Sequence, residues 1–344
     1  IRDRLFAALW YVHQSPRWNG TGSTHVLPQL TFYTVSVTHN SSSRRTQGQP
    51  LVPRPLPCKE ENMPMPQDDD PRHDTRERLY RGAAVPDDAR IGLATDIGLR
   101  HATNQDYAGI DFAPSGPYWV VVVADGVSST PGAERASHIA ATTICQHLTD
   151  ALGDGLPTGD DATIALFTGA FDLAHERIVT SDGEPVGACT VAAAIHGPSR
   201  VVVANIGDTR AFWFPGDGKA VRLTTDDSVA QMQIEMGVPR DRAEHGAGAH
   251  AITKWIGARA TDITPRVVAY EPTRSGWLLL CSDGVWNYAA DPADLAALVS
   301  HIDQHGAGPH QDAQTIAEGL VRHALSCGGH DNATVACVHL TDES

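Results

Sequence analysis

No two cysteines in this 344-residue chain are spaced as a Cys-x-x-Cys pair. The six present (Cys58, Cys145, Cys189, Cys281, Cys327 and Cys337) are scattered. Zinc ribbons and dithiol redox motifs need close spacing, so neither is expected. Cys189, Cys281 and Cys337 lie inside apolar, strand-like runs, which fits buried free thiols in a reducing compartment. Long apolar runs are missing too: none reaches the roughly eighteen residues needed to span a bilayer. Leu5 to Val12, after Arg2 and Arg4, faintly resembles a signal peptide but is followed by no clear small-residue cleavage site, so a cytoplasmic location is expected. Positive charge is scarce, with 26 Lys and Arg against 41 Asp and Glu and a formal net charge of −15. That balance argues against nucleic acid or an anionic membrane as the main partner. A phosphorylated substrate remains compatible, because bound metal inverts the local sign.

Composition divides the chain. The segment from Asn40 to His73 is crowded with Ser, Gln and Pro and carries the acidic run Asp68-Asp69-Asp70. It has too little apolar surface to offset chain entropy. Residues 1–85 are therefore expected to be a low-complexity, disordered extension, with an isolated strand conceivable over 31–37. Order is expected from about Ala89, and residues 86–341 read as one domain. Strands are expected over 90–96, 107–112, 118–126, 188–195, 200–206, 210–214, 220–223, 266–271, 276–281 and 333–340. Helical spacing predicts helices over 132–152, 161–179, 228–237, 292–304 and 312–325. Thr163, Leu166, Ala170, Leu173 and Ile178 are the expected inner face of the second helix. A hairpin turn is expected at 216–218 and a polar loop around Arg240 to His250. Strands joined by tight turns, with helices in pairs between strand groups, predict an α+β fold of antiparallel sheets with helices outside.

One device recurs. The run Tyr118 to Ala124 is apolar and β-branched, and it ends abruptly in Asp125-Gly126. Trp277 to Cys281 leads into Ser282-Asp283-Gly284, Val201 to Ile206 into Gly207-Asp208, and Asp331-Asn332 precedes the strand at Ala333. A single Asp-Gly after a strand is most often only a turn. Several carboxylates held by rigid strands repel one another, however, and their convergence requires a cation. Oxygen ligands of this kind suit a hard divalent ion, Mg²⁺ or Mn²⁺.

Six motifs in order complete the pattern: Asn104-Gln105-Asp106, Asp125-Gly126, Gly187-Ala188-Cys189-Thr190, Gly207-Asp208-Thr209-Arg210, Ser282-Asp283-Gly284-Val285-Trp286 and Asp331-Asn332-Ala333-Thr334. Over residues 89–341 the chain resembles the metal-dependent PPM (PP2C-type) protein serine/threonine phosphatases, in their bacterial branch. The resemblance implies two antiparallel β-sheets packed as a sandwich and flanked by helix pairs. It implies two Mn²⁺ or Mg²⁺ ions, bridged by Asp125, with the Gly126 carbonyl on the second and Asp283 and Asp331 on the first. Asp208, with Asp283, would hold a third, weaker ion. Asp106 would act through metal-bound water, and Asn332 would orient the Asp331 loop. The implied reaction is attack on phosphoserine or phosphothreonine by a metal-activated water, with no covalent enzyme intermediate. The absence of a Cys-x5-Arg loop is then expected.

The family's phosphate-gripping Arg, three places before the Asn, is here His101, with Arg100 beside it. Either could contact phosphate, and a solvated loop face would explain both. The usual Asp-His-Ser reads Asp226-Asp227-Ser228. Arg210 could be merely structural, and Trp286 is most economically core packing. The expected partners are phosphorylated proteins, opposite a Ser/Thr kinase, acted on by a monomer. The alternative from another class is a pseudophosphatase that binds phosphoproteins as a scaffold.

Overall fold

The central strands show no polar alternation, and the architecture explains why. The computed structural model describes residues 78–82, 90–113, 116–157, 159–181, 186–197, 200–216, 219–305 and 312–340. The strand expected over 31–37, the tip of the turn at 217–218 and most of the expected extension lie outside them. In β4 (Tyr118–Gly126), Val120, Val122 and Ala124 face one apolar cluster while Val121 and Val123 face another. In β11 (Gly276–Cys281), Leu279 and Cys281 face a third cluster, whereas Leu278 and Leu280 share the cluster of Val121 and Val123. Side chains alternate along a strand, so a run buried on both faces must be apolar throughout.

The result is four layers. Strands β1 (Leu79–Arg81), β3 (Tyr107–Ala113), β4, β5 (Ala188–His196), β6 (Val201–Ile206) and β10 (Arg266–Tyr270) form one sheet in that order, with β9 (Ile256–Gly257) off β5. Strands β2 (Ile91–Asp96), β12 (Ala333–Leu340), β11, β7 (Arg210–Pro215) and β8 (Val221–Arg222) form the other. Helices α1 (Ala133–Ala151) and α2 (Asp160–Val179) cover the first sheet. Helices α6 (Pro292–His305) and α7 (Ala313–Ser326) cover the second. The expected α-β-β-α sandwich is present.

Three details differ from expectation. The first is β1, which lies inside the stretch expected to be a disordered extension. It pairs parallel to β3, where only antiparallel pairing was expected. Tyr80 donates to Asp111 at 3.3 Å and Arg78 to the Glu134 carbonyl at 3.2 Å, contacts that no local pattern announces. The second is the inner face of α2. Thr163, Ala170 and Ile178 are buried as expected and Leu166 packs partly buried against the same cluster, but Phe167, Phe171 and Ala174 are buried too and Leu173 is only half-buried. The face follows the same helical period and includes two aromatic rings. The third is a short helix, α4 (Arg240–Glu244), in the expected polar loop. Pro239 precedes it, and Arg240 donates to Glu244 one turn on at 2.6 Å. Phe171 is fully buried in the apolar cluster that α1 and α2 form with the sheet. Phe171→Ala should therefore cost about 3–5 kcal/mol, measurable as a lowered urea midpoint.

Candidate metal centre

Strand register gathers the acids at one end of the sandwich. Ala124 pairs with Tyr107 and Asp125 with Thr190, so Asp106 and Asp125 leave neighbouring strands at the same level. In the second sheet, Cys281 pairs with both Arg210 and Val335, which puts Asp208, Asp283 and Asp331 just beyond that level. The sheets meet here: Ser282 Oγ donates to Asp106 Oδ2 at 2.7 Å.

The charges act on one another. Burial, then the charges of Asp106, Asp283, Asp208 and Asp331, raise Asp125 well above the ordinary carboxylate range. Burial lifts Asp106 to about 7, aided by Asp283 and Asp331 and opposed by hydrogen bonds from Thr334 and Ser282. Burial, Asp283 and Asp226 lift Asp208 to about 8, with Arg210 opposing. Burial and Asp331 lift Asp283 to about 6, against Asn287, Arg210 and the Gly284 amide. Five carboxylates from five separate segments thus act on one another at one end of the sandwich. Clustered acids of this kind, supplying hard oxygen donors, fit divalent Mg²⁺ or Mn²⁺. Among the described residues no group of three or more His, Cys, Asp or Glu side chains is placed closely enough to hold a metal ion as it stands.

Gly126 fits nothing larger: an added Cβ would lie 2.6 Å from the Gln105 oxygen and 3.0 Å from the Ala133 Cβ. Asn332 stitches the loops around Asp331. Its Oδ1 accepts from the Gln105 amide at 2.8 Å, and its Nδ2 donates to the Ile97 carbonyl at 2.7 Å and the Thr103 carbonyl at 3.2 Å. Asp331 Oδ1 accepts from the Asn332 amide at 2.8 Å and lies 3.1 Å from His101 Nε2. His101 therefore faces a carboxylate, while its neighbour Arg100 is exposed.

The sequence reading missed the supports. The Thr334 amide donates to Ser282 Oγ at 3.0 Å, behind the bond from Ser282 to Asp106. Thr334 and Thr95 share a 2.6 Å hydroxyl contact, and Asn104 Nδ2 donates to Thr95 Oγ1 at 2.9 Å. Ser282 and Thr334 stand within the quoted motifs, which was the available signal. Trp286 is buried as expected, but its indole N–H also donates to the Asp208 carbonyl at 3.0 Å.

A sequence model of the protein phosphatase 2C family matches residues 99–320. Serine/threonine protein phosphatase PstP of Mycobacterium tuberculosis is 26% identical over 257 residues, which cover 74% of this chain and 45% of that protein. The chain thus spans about half the length of that relative. Serine/threonine phosphatase Stp of Listeria innocua is 27% identical over 252 residues, covering 71% of this chain and 93% of that one. The solved catalytic domain of PstP in complex with two manganese ions has a TM-score of 0.54 at 23% identity, covering 74% of this chain and 98% of that one. That last match is a likeness of fold.

Proposed function

The chain belongs to the protein phosphatase 2C family, and from that premise we propose that it hydrolyses phosphoserine and phosphothreonine esters in proteins at a binuclear Mn²⁺ or Mg²⁺ centre. The observation that carries this is the strand register, which brings Asp106, Asp125, Asp208, Asp283 and Asp331 to one end of the sandwich, where Ser282 joins the two sheets through Asp106. When bound, two divalent cations supply an acidified water and neutralise the charge of the phosphate. Asp125, the Gly126 carbonyl, Asp283 and Asp331 would hold them, and Asp208 with Asp283 would offer a third, weaker site. Asp106, fixed by Ser282, would orient water at the centre, and Asn332 sets the Asp331 loop. Rigid strand ends keep these oxygens in place, so little reorganisation is needed when substrate arrives. The catalytic domain is proposed to span residues 86–341, with β1 as an added edge strand. Phosphoproteins modified by a Ser/Thr kinase are the proposed substrates, met by a monomer in the cytoplasm. Among the described residues no helix is long and apolar enough to cross a membrane.

The test is turnover of a phosphothreonine peptide with Mn²⁺, its loss in EDTA and its return on adding Mn²⁺. Phosphopeptide binding without turnover under any metal would favour the scaffold alternative. Arg100 is the proposed phosphate contact, because the His101 ring lies against Asp331. Arg100→Ala should raise KM for p-nitrophenyl phosphate about tenfold with kcat nearly kept. His101→Ala should instead shift the Mn²⁺ concentration needed for half-maximal rate. A KM increase confined to the His101 variant would reverse the assignment.

A further inference from the structure

Arg210, Asp226 and Trp286 form a buried cluster beside the acids that the chemistry above leaves without a task. Arg210 opens β7 two residues after Asp208. Its Nε donates to Asp226 Oδ1 at 3.1 Å and its Nη2 to Asp226 Oδ2 at 2.7 Å. Its guanidinium carbon lies 3.4 Å from the centre of the Trp286 ring. Trp286 Nε1 donates to the Asp208 carbonyl at 3.0 Å. Arg210 and Asp226 are each 7% exposed and Trp286 is 2% exposed. The same turn is gripped from its other side. The Asp227 amide donates to the Gly207 carbonyl at 2.8 Å, and the Gly207 amide donates to Asp227 Oδ2 at 3.1 Å. Gly207 has φ +91°, and an added Cβ there would lie 2.3 Å from Thr190 Cγ2, so the turn has little freedom.

A buried guanidinium next to several carboxylates would ordinarily pair with whichever it can reach. Arg210 is close enough for its charge to act on both Asp208 and Asp283. Yet its fork is engaged two-pronged by Asp226, and its plane is set by stacking on the indole. Arg222 Nη1, 3.6 Å from Asp226 Oδ2, helps hold that carboxylate. Held in this way, the guanidinium lends its charge to the centre without covering the oxygens that a cation needs.

We propose that Asp226 and Trp286 are positioning residues for the metal centre, which lock the Arg210 guanidinium away from the Asp208 carboxylate and keep that carboxylate open to the third, weaker cation. This rests on the reading of Asp208 as a ligand given above. Asp226→Asn keeps the shape but cannot hold the fork as an ion pair, and the guanidinium is then drawn to Asp208. Trp286→Phe keeps an aromatic ring beneath Arg210, but it removes the N–H that fixes the Asp208 carbonyl together with one of the two fused rings.

The experiment is calorimetric titration of the full chain with Mn²⁺, alongside kcat and KM at saturating Mn²⁺. Asp226→Asn should weaken the weakest Mn²⁺ step about tenfold or more, and Trp286→Phe several-fold, as expected for residues one shell behind a ligand. With Arg210→Met already present, adding Asp226→Asn should change Mn²⁺ affinity little further, because Asp226 acts through Arg210. A merely structural pair would lower the melting temperature and leave the Mn²⁺ isotherm of the folded protein alone. Wild-type isotherms for Asp226→Asn and Trp286→Phe would overturn the proposal. So would an Asp226→Asn effect of equal size with and without Arg210. Asp208→Asn serves as the reference. If it binds Mn²⁺ as the wild type does, the ligand reading fails and takes this inference with it. If it weakens binding while the other two variants do not, this inference alone fails.

Discussion

Asp125→Asn is expected to lose about a thousandfold or more in Mn²⁺-dependent turnover of p-nitrophenyl phosphate, equivalent to roughly 4 kcal/mol of transition-state stabilisation. The substitution keeps the size of the side chain and removes one anionic oxygen from the position on which four other acids act. If Asp125 holds two cations as proposed, a neutral amide in its place would loosen both. The same change should do the opposite to stability when metal is withheld. Asp125 is raised by burial and by its neighbours, so at neutral pH its ionisation costs folding free energy. Asp125→Asn should therefore melt at a higher temperature than the wild type in EDTA, and this advantage should shrink or vanish in Mn²⁺. Wild-type turnover by the variant would sink the bridging assignment. A variant less stable than wild type in EDTA would sink the electrostatic account, whatever its activity.

The strand-to-aspartate device was visible because a strand buried on both faces must be a continuous apolar run, and Asp125 and Asp283 interrupt theirs abruptly. The sandwich order came from the family resemblance, and the structure bears it out, since β4 and β11 divide their side chains between helices and the facing sheet. What stayed hidden depends on contacts distant in sequence. Nothing local says that Ser282 will meet Asp106, or that Asn332 will reach the amide of Gln105. β1 was hidden because three residues carry no period, and its place is decided by the open edge of β3 and by the buried Asp111 that Tyr80 meets. His101 shows the limit from the other side. Its place three residues before Asn104 matched the family's phosphate-gripping Arg, and only the fold shows that its ring also has Asp331 as a neighbour.

In EDTA the folded protein should gain stability as pH falls from 8 to 6.5, the reverse of ordinary acid destabilisation. Asp208, Asp106 and Asp283 stand at about 8, about 7 and about 6, above an ordinary value of 3.8. An acid whose pKa is higher folded than unfolded takes up its proton more readily in the folded state. Its contribution to stability is complete below the unfolded value and is lost as pH rises through the folded one. Between 6.5 and 8 the folded chain therefore holds protons on Asp208 and Asp106 that the unfolded chain has released. Each proton of difference is worth about 1.4 kcal/mol per pH unit. Because the acids act on one another, the steps belong to the cluster, and the rise should be broader than a single titration. Below 6.5 three histidines run the other way. Burial lowers His196 to about 4 and also lowers His138 and His323, so the unfolded state takes up those protons first. The slope should therefore flatten below 6.5, which makes the upper window the informative one. Saturating Mn²⁺ should reverse the sign there, because cations bind the ionised carboxylates and compete with protons for them. Urea midpoints measured at half-unit steps in EDTA and in Mn²⁺ should diverge as pH rises from 6.5 to 8. If the EDTA midpoint instead climbs with pH across that window, the acids do not repel as described, and the case for a shared cation site loses its physical basis.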